Sequence, residues 1–334
     1  MLRGLVSALL ASIFLLHSLN VFVLPPLKAL DRVAYDYLIS TNPPTHNAVE
    51  RVVILDVDEK SLSNPNLGRW PWSRDVMSDV VALLFQEYKV RVLGFDVVFS
   101  EPDTSSGLRA LDALAAGPLA NNPAYIESLE KIRPQLEYDS IFGELLMQYP
   151  IVLGYYFNLG TGDNVKAGAL PLPTIFSDEV SIKAGSVVEG TGYGSNIAVL
   201  TDAALAAGHF NPIVDPDGLI RKVPLLLKFE GDYFESLSLA VFRMFKALEG
   251  AEASGKALSV QPLVLFDEAG EVVTGEGSSV LNAIQVADKR IPVGPDSSVF
   301  VSYQGPQKTF TYLSFDDLVE GRIPPEALKD QVVL

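Results

Sequence analysis

Five acidic side chains lie at the ends of two apolar segments in this sequence. They are Asp56 and Asp58 at the first segment, and Asp96, Glu101 and Asp103 at the second. Crowded carboxylates repel one another unless a cation or an arginine balances them. If the two segments are parallel strands of one sheet, the five carboxylates share an edge. They then predict either a cation or ligand site, or a structural network balanced by Arg69 and Arg74, the arginines nearest in sequence.

The spacing of Asp56 and Asp58 also indicates an alternative, enzymatic function. Two acids spaced by two at a strand end can bind Mg²⁺ or Ca²⁺. The pattern resembles the Asp-x-Asp opening of haloacid-dehalogenase-type phosphatases, with Lys60 at the fifth position, and the resemblance ends with this short segment. An exported metal-dependent phosphohydrolase is therefore one alternative function. The structural alternative is that these acids form turns and helix caps.

Both tryptophans of the chain lie in the short segment GRWPWSR. Trp70 and Trp72 stand between Arg69 and Arg74, and indole rings attract guanidinium groups that lie over their faces. The segment predicts either a structural anchor for the loop or one wall of a ligand site.

The motif DPDGLIR predicts a hairpin turn. Asp215, Asp217 and Gly218 stand at positions that suit a type I turn with proline second. A calcium loop of the EF-hand type needs a glutamate at its twelfth position, where this chain has Leu226. We expect Arg221 to form an ion pair with an aspartate of the turn.

Other catalytic patterns are missing from the sequence. It contains no Gly-x-x-x-x-Gly-Lys-Ser/Thr phosphate loop, no His-Glu-x-x-His motif and no cysteine. A Ser-His-Asp triad would depend on His46 or His209, and no Gly-x-Ser-x-Gly elbow accompanies either of them. We therefore assign no catalytic residue, no metal ligand and no cofactor, and expect His209 to be a packed strand residue.

Hydrophobic periodicity predicts the elements that position these side chains. A strand at 51–57, an amphipathic helix at 74–88 and a strand at 90–99 form a βαβ unit with parallel strands. Ligand sites of α/β sheets lie at the carboxyl ends of such strands. The other predicted helices lie at 27–39, 125–148 (with a break near Pro134), 234–248, 315–320 and 325–328. The other predicted strands lie at 151–158, 208–213, 219–229, within 259–304 and at 331–334. Gly-rich loops are predicted at 160–168 and 185–195. The fold class is α/β, with a mixed, largely parallel sheet flanked by helices and a β-rich insertion at 200–305.

One N-terminal transmembrane helix precedes this domain in the prediction. Residues 5–24 contain no Asp, Glu, Lys or Arg, and as a helix of about 30 Å they would cross a bilayer. A cleaved signal peptide is the alternative, although no small-x-small cleavage motif follows the apolar run. The short N-terminal side favours the amine inside the cell.

The charge distribution excludes one class of binding partner. The first fifty residues hold equal numbers of acids and bases, so the net charge of −16 lies entirely beyond them. An acidic domain does not bind nucleic acid through phosphate contacts. Because cysteine is absent, disulfide scaffolds and zinc–thiolate sites are excluded as well.

The order of these motifs resembles the CHASE2 family of extracellular sensory domains. The matching segments are RVVILDVDEKSL at 51–62, GRWPWSR at 68–74, VLGFDVVFSEPD at 92–103, GHFNPIVDPDGLIRKVPL at 208–225 and the whole of 301–334. The resemblance implies a bacterial membrane receptor in which a membrane helix leads into the sensory domain. Further membrane helices and a cytoplasmic output follow in that family, such as an adenylate, guanylate or diguanylate cyclase, or a histidine or serine/threonine kinase of a signal-transduction system.

The resulting domain prediction has four parts. Residues 1–4 are cytoplasmic, 5–24 span the membrane, 25–45 form a juxtamembrane helix and linker, and 46–334 form the periplasmic or extracellular sensory domain. Because the chain stops within the strand predicted at 331–334, we expect the natural protein to continue. The expected partners are the membrane, an unknown small-molecule or protein signal and a second copy of the chain. The ligand-binding candidates are Asp56, Asp58, Trp70, Trp72, Arg74, Asp96, Glu101 and Asp103.

Overall fold

The computed structural model describes residues 2–18, 24–41, 51–160, 164–294 and 296–334. The chain divides into two units, Met1–Val49 with Ser302–Thr309, and Glu50–Val301 with Phe310–Leu334. Residues 19–23 of the predicted anchor lie outside the described residues. The same is true of His46 and of the predicted linker after Thr41.

Helices make up much of the described chain. The α-helices are α1 (Leu2–Ser18), α2 (Pro25–Thr41), α3 (Glu59–Ser63), α4 (Arg74–Gln86), α5 (Leu108–Ala116), α6 (Pro123–Ile132), α7 (Tyr138–Leu146), α8 (Ala198–Ala203), α9 (Leu237–Ser254) and α10 (Phe315–Val319). Two 3₁₀ turns, Arg133–Gln135 and Pro325–Ala327, add to them. The first of these turns contains Pro134, which confirms the predicted break between the helices now seen as α6 and α7.

Strands are more numerous but shorter. They are β1 (Val52–Asp56), β2 (Val92–Phe95), β3 (Ile151–Asn158), β4 (Lys166–Ala167), β5 (Val188–Glu189), β6 (Gly192–Gly194), β7 (Ala206–His209), β8 (Ile213–Val214), β9 (Ile220–Pro224), β10 (Leu226–Phe229), β11 (Asp232–Glu235), β12 (Val264–Asp267), β13 (Leu281–Val286), β14 (Lys289–Pro292), β15 (Ser298–Phe300), β16 (Thr311–Ser314) and β17 (Val332–Val333).

The first unit contains α1 and α2. Among the residues that the structure describes, none of the helices has the length and apolar character that crossing a bilayer requires, so the transmembrane helix predicted at 5–24 gains no support. In α2 the side chains of Leu30, Val33, Tyr37 and Leu38 are exposed. Their spacing places them on one face of the helix.

The second unit is built on an eight-stranded sheet. The strand order is β16-β1-β17-β2-β3-β6-β4, and β7 also pairs with β3. The pairs that join β16, β1, β17, β2, β3 and β7 are parallel, whereas β3 and β6 are antiparallel. This confirms the predicted mixed, largely parallel sheet. Because β17 lies between them, β1 and β2 run parallel without pairing with each other.

Helices cover both faces of this sheet. Successive side chains of a strand point to opposite faces, so apolar residues on both faces need a helix to pack against. On one face, Val92 and Val152 pack in a buried cluster with Val241 and Met244 of α9. On the other face, Leu93 packs in the largest cluster, together with side chains of α4, α7 and α10. The predicted helices on the two faces of the sheet are therefore confirmed.

Three small sheets, β11-β10-β5, β12-β13-β14 and β15-β9-β8, complete the second unit. They supply the β-rich part predicted after residue 200. The Gly-rich segment at 185–195 was expected to be a loop, but it contains β5 and β6. Tyr156 of β3 pairs with Gly194 of β6, and a Cβ atom at Gly194 would clash with the Tyr156 ring, so this glycine makes room for that side chain.

One predicted helix begins later than expected. The helix expected at 234–248 is α9, which starts at Leu237 because Phe234 and Glu235 pair with β10 as part of β11. The side chain of Ser236 caps the helix by accepting a hydrogen bond from the backbone N–H of Leu239. This shift places Glu235 at a strand end and not inside a helix.

Candidate functional site

The carboxyl ends of β1, β2 and β16 carry most of the acidic residues singled out in the sequence. Asp56 ends β1 and Asp96 follows β2, and both are exposed. Within the described ranges, no group of three or more His, Asp or Glu residues could hold a metal ion, so the cation site offered as one alternative is not found. The remaining acids take separate partners.

Asp58 acts as the N-cap of α3. Its Oδ1 accepts hydrogen bonds from the backbone N–H of Ser61 (2.9 Å), from Ser61 Oγ (2.6 Å) and from Ser314 Oγ (3.0 Å). Burial raises the pKa of Asp58, but the hydrogen bonds from Ser61 and Ser314 outweigh it and hold the pKa below its ordinary value. This geometry matches the helix-cap alternative for the Asp56–Asp58 motif.

Lys60, the candidate phosphatase-type lysine, lies against a different pair of carboxylates. Its Nζ is 2.5 Å from Asp317 Oδ1 and 3.2 Å from Asp316 Oδ2. Asp316 is buried, accepts a hydrogen bond from Asn64 Nδ2 at 2.6 Å and also pairs with Arg322. The spacing of residues does not reveal this network, because its members are about 250 residues apart and meet through the pairing of β1 with β16.

The two tryptophans hold the loop before α4 in place. Trp72 is 2% exposed, stacks on Phe315 with ring centroids 4.5 Å apart and meets the edge of Trp70 at 4.9 Å. Trp70 is half-buried. Among the described residues neither indole holds an arginine over its face, so the predicted aromatic–cation cluster does not form. The guanidinium of Arg74 lies instead over the Phe99 ring, 4.5 Å from its centroid.

Arg74 is 6% exposed and organises the second group of acids. Its Nε lies 3.4 Å from Asp139 Oδ1, its Nη2 donates to the backbone carbonyl of Glu101 at 3.1 Å, and its backbone N–H donates to Asp103 Oδ2 at 2.6 Å. Asp139 Oδ2 in turn accepts from the backbone N–H of Asp103 at 2.8 Å. Arg74 therefore balances Asp103 and Asp139, whereas Arg69 and the Glu101 carboxylate are exposed.

Burial is the largest influence on the pKa values of Arg74 and Asp139. It lowers the pKa of Arg74 and raises the pKa of Asp139, although each partner counteracts the shift of the other. The pKa of Asp103 is lowered, because hydrogen bonds from Ser105 and from the Arg74 backbone outweigh its burial. The arginine remains charged, since guanidinium groups do not lose their proton in proteins.

The predicted turn at Asp215 is the hairpin between β8 and β9. Arg221 Nη1 lies 2.7 Å from Asp215 Oδ2 and 2.9 Å from Asp217 Oδ1, and Nη2 donates to Asp217 Oδ2 at 2.9 Å. Gly218 has φ +82°, which a side chain would strain. The motif therefore holds the hairpin together.

A cavity of ≈ 480 Å³ lies on another part of the second unit. It is lined by the segments 170–174 and 204–207 and by Thr201, Asp202, Glu235, Ala240, Arg243 and Val260. Glu235 is 5% exposed. Its Oε1 accepts a short hydrogen bond from Arg243 Nη1, whereas its Oε2 is buried without a hydrogen-bond partner among the described residues.

The charge state of Glu235 follows from its surroundings. Burial raises its pKa from 4.5 to about 7, and Arg243 together with a hydrogen bond from the Thr174 side chain only partly offsets the shift. Arg243 is itself engaged elsewhere, since its Nε and Nη2 donate to the backbone carbonyl of Gln261 at 3.3 and 2.8 Å. Glu235 therefore contributes to the cavity wall, whereas its Oε2 is enclosed by the protein.

The model of the CHASE2 domain family matches residues 8–334. The chain belongs to the CHASE2 family. This confirms the resemblance of the motifs and places the chain among extracellular sensory domains, which are not catalytic. No curated protein and no solved structure gives a significant match.

In this CHASE2 domain, His209 is a fully buried residue of β7. Burial lowers the pKa of His209 to about 3, and a contact with the Phe234 backbone only partly opposes this shift. Neither ring nitrogen makes a hydrogen bond of good geometry within the described part of the chain. The ring packs near Phe157 with centroids 6.1 Å apart. A neutral, enclosed imidazole of this kind is a packed strand residue, as the sequence indicated.

The sequence analysis assigned no role to the residues of the CHASE2 cavity. Glu235 is the last residue of β11 and stands shortly before the apolar helix α9. The sequence therefore offers one sign of a buried acid here, namely an isolated glutamate within an apolar segment. Its burial depends on Arg243, eight residues along the chain, and on Thr174, whose Oγ1 accepts from the Glu235 backbone N–H at 3.3 Å.

Proposed function

We propose that the chain is the extracytoplasmic sensory input domain of a membrane-anchored bacterial receptor, which controls a cytoplasmic cyclase or kinase. The observation that carries this proposal is the match of the CHASE2 family model to residues 8–334. The segment at 5–24 is the proposed anchor, since its sequence runs for 20 residues without Asp, Glu, Lys or Arg.

The receptor is proposed to act as a homodimer. The exposed apolar face of α2, formed by Leu30, Val33, Tyr37 and Leu38, supports a helix–helix contact with a second copy. Small shifts and rotations of packed helices are a common way for a signal to pass through an assembly. A ligand of the sensory domain would change the output by moving this pair of helices.

A phosphohydrolase that uses Asp56 and Asp58 is less favoured. Asp58 Oδ1 is occupied by three hydrogen bonds, and Lys60 lies against Asp316 and Asp317. Phosphoryl transfer would need an accessible carboxylate, a cation and a lysine at one place. Nothing in the geometry of this strand end supports that arrangement.

Reporter fusions test the proposed placement. Alkaline phosphatase, active only outside the cytoplasm, is fused after residue 334, and a fluorescent protein that matures only inside is fused there in a second strain. The proposal predicts phosphatase activity in the membrane fraction and no fluorescence. Fluorescence without phosphatase activity would refute the extracytoplasmic placement.

The sensory role is tested in the receptor encoded by the complete gene. Residues 51–334 are deleted in frame, and the activity of the cytoplasmic output is measured with and without the deletion under a panel of stimuli. The proposal predicts that the response to at least one stimulus is lost. An output that responds identically in both proteins would refute the sensory role.

A further inference from the structure

The two edges of the eight-stranded sheet differ in how they are protected. At one end, β4 is two residues long and carries Lys166, whose Nζ lies 2.5 Å from Glu230 Oε1. At the other end, β16 is four residues long and pairs with β1 on one side. No strand of the described chain lies on its other side, so the backbone N–H and C=O groups that point there remain available to a further strand.

The residues of β16 lack the features by which proteins protect an open sheet edge. These features are charged side chains, proline, a bulge or a very short strand. The segment 310–314 reads FTYLS, and the register of β16 against β1 is continuous. Phenylalanine, threonine and tyrosine all favour strands. An uncharged edge of this composition is a template for pairing with another chain.

The side chains of this edge are partly open to solvent. Leu313 packs against the largest buried cluster together with its neighbour Leu55 of β1. Because successive side chains of a strand alternate, Tyr312 points to the opposite face, where it pairs with the half-buried Ile54 and is 41% exposed. The edge therefore offers backbone hydrogen bonds and an aromatic side chain at the same place.

Charge favours a second copy of the chain as the occupant of this edge. The chain carries a net charge of −16, so two copies repel each other over most of their surfaces. The segment 310–314 contains no charged residue, and two copies can approach along it without opposing like charges. A basic partner would be attracted to the acidic surface elsewhere and would gain no charge contact from this segment.

An antiparallel pair of β16 strands is self-complementary. When the two-fold axis lies at Tyr312, the two Tyr312 side chains face each other. Thr311 of each copy then lies opposite Leu313 of the other, and Phe310 lies opposite Ser314. All of these cross-strand pairs are uncharged, and aromatic pairs of this kind stabilise sheets. The contact is isologous, as in most two-fold dimers.

We propose that two copies of the domain pair through the outer edges of their β16 strands, antiparallel about a two-fold axis at Tyr312, and so join their two sheets into one. The proposal deepens the proposed sensory function and rests on its homodimer, because it names the strand through which the two sensory domains meet.

Disulfide crosslinking tests this contact directly, because the chain contains no cysteine. Tyr312→Cys is introduced into the full 334-residue chain in a neutral detergent and oxidised with copper phenanthroline. Facing residues of antiparallel strands have Cα atoms about 4.5–5.5 Å apart, a distance that a disulfide spans. The variant is expected to give at least fivefold more covalent dimer than Tyr156→Cys, the same change at a tyrosine of similar exposure inside the sheet.

Further variants test the register and the open edge. Phe310→Cys should give no more dimer than Tyr156→Cys, because its two cysteines would lie about 13 Å apart along the strands. When combined with Tyr312→Cys, Thr311→Lys is expected to reduce the covalent dimer at least fivefold because it adds charge to the edge, whereas Thr311→Val should leave it unchanged. If Tyr312→Cys does not fold, as judged by circular dichroism, a benzophenone-bearing phenylalanine replaces Tyr312 and photo-crosslinking carries the same expectations.

Equal crosslinking of Tyr312→Cys and Tyr156→Cys would overturn the proposal. So would a Tyr312→Cys dimer that Thr311→Lys leaves unchanged. Light scattering of the wild type separates the two levels: a dimer without crosslinking at Tyr312 means that the copies meet elsewhere and the homodimer stands, whereas a monomer without crosslinking refutes both. If Tyr312→Cys crosslinks as expected but deletion of residues 51–334 leaves the output unchanged, the contact stands and the sensory role fails.

Discussion

The carboxyl edge of the sheet and the Glu235 cavity both bury charged side chains, but they satisfy them differently. At the edge, Arg74 Nε and Asp139 Oδ1 have no conventional hydrogen bond, yet they face each other at 3.4 Å. At the cavity wall, Glu235 pairs with Arg243 through Oε1, and its Oε2 is enclosed by the protein. Burial outweighs Arg243 and Thr174 there and raises the pKa of Glu235 to about 7.

This difference separates a buried charge with several partners from one whose charged form is disfavoured. Removing one partner of a buried ion pair lowers stability, because the other charge stays buried without its counterion. Burial of a carboxylate that its partners only partly compensate shifts the group toward its neutral form. The density of acidic residues, which drew attention to the carboxyl edge in the sequence, does not distinguish the two cases.

Loss of Arg74 should have the largest effect. Arg74→Met is expected to lower the free energy of unfolding by about 3–5 kcal/mol, because Asp139 would remain buried beside Asp103 without a cation. Chemical denaturation of the full chain measures the change.

Arg69→Met is the matched control for this prediction. Arg69 is exposed and lies five residues before Arg74, so its replacement should change stability by no more than about 0.5 kcal/mol. Equal stability losses for the two variants would show that the Arg74 network is not the stabilising feature of this edge.

Removal of the Glu235 charge should change how stability depends on pH. The folded pKa of about 7 exceeds the ordinary value of 4.5, so the folded protein binds more protons than the unfolded chain between these values. Its contribution to stability therefore falls as pH rises through this window, by about 3 kcal/mol in all. Glu235→Gln is expected to flatten this fall, which thermal unfolding between pH 4.5 and 8 measures.

Glu230→Gln serves as the control, because it is the same change at an exposed glutamate outside the cavity lining. It should retain the pH dependence of the wild type. Identical curves for wild type and Glu235→Gln would mean that Glu235 is not held in a desolvated site, which removes the contrast with the carboxyl edge.

Replacement of Asp56 and of Asp58 should change the free energy of unfolding by different amounts, both smaller than the effects above. Asp58→Ala is expected to lower the free energy of unfolding by about 1–2 kcal/mol, because the α3 cap and the contact with Ser314 are lost. Asp56→Ala, at an exposed strand end, should stay within about 0.5 kcal/mol of the wild type. Denaturation curves measure both. A phosphatase activity that needs both residues equally would overturn this interpretation of the motif.

The sequence predicts the parts of the fold that depend on local pattern. The apolar run of a buried parallel strand gave β3 the bounds that the structure has, Ile151–Asn158. The turn at Asp215 was equally local, since the residues that close it lie within seven positions. The order of five short motifs along the chain indicated the family, with the segments around Trp70 and Asp215 the most specific of them.

Long-range pairing accounts for what the sequence did not predict. The strand expected at 331–334 was recognised, but its place between β1 and β2 depends on partners more than 200 residues away. The Glu235 cavity combines Thr174, Arg243 and Val260 from separate elements. The state of Oε2 follows from three-dimensional packing, which the spacing of residues along the chain does not encode.

Denaturation of the wild type, Arg74→Met and Glu235→Gln at pH 4.5 and at pH 8 tests the contrast between the two regions most directly. Arg74→Met is expected to lose stability at both pH values, because guanidinium groups keep their charge throughout this range. The difference in stability between Glu235→Gln and the wild type is expected to change by about 3 kcal/mol between the two pH values. A pH-dependent loss for Arg74→Met, or a constant difference for Glu235→Gln, would contradict the contrast.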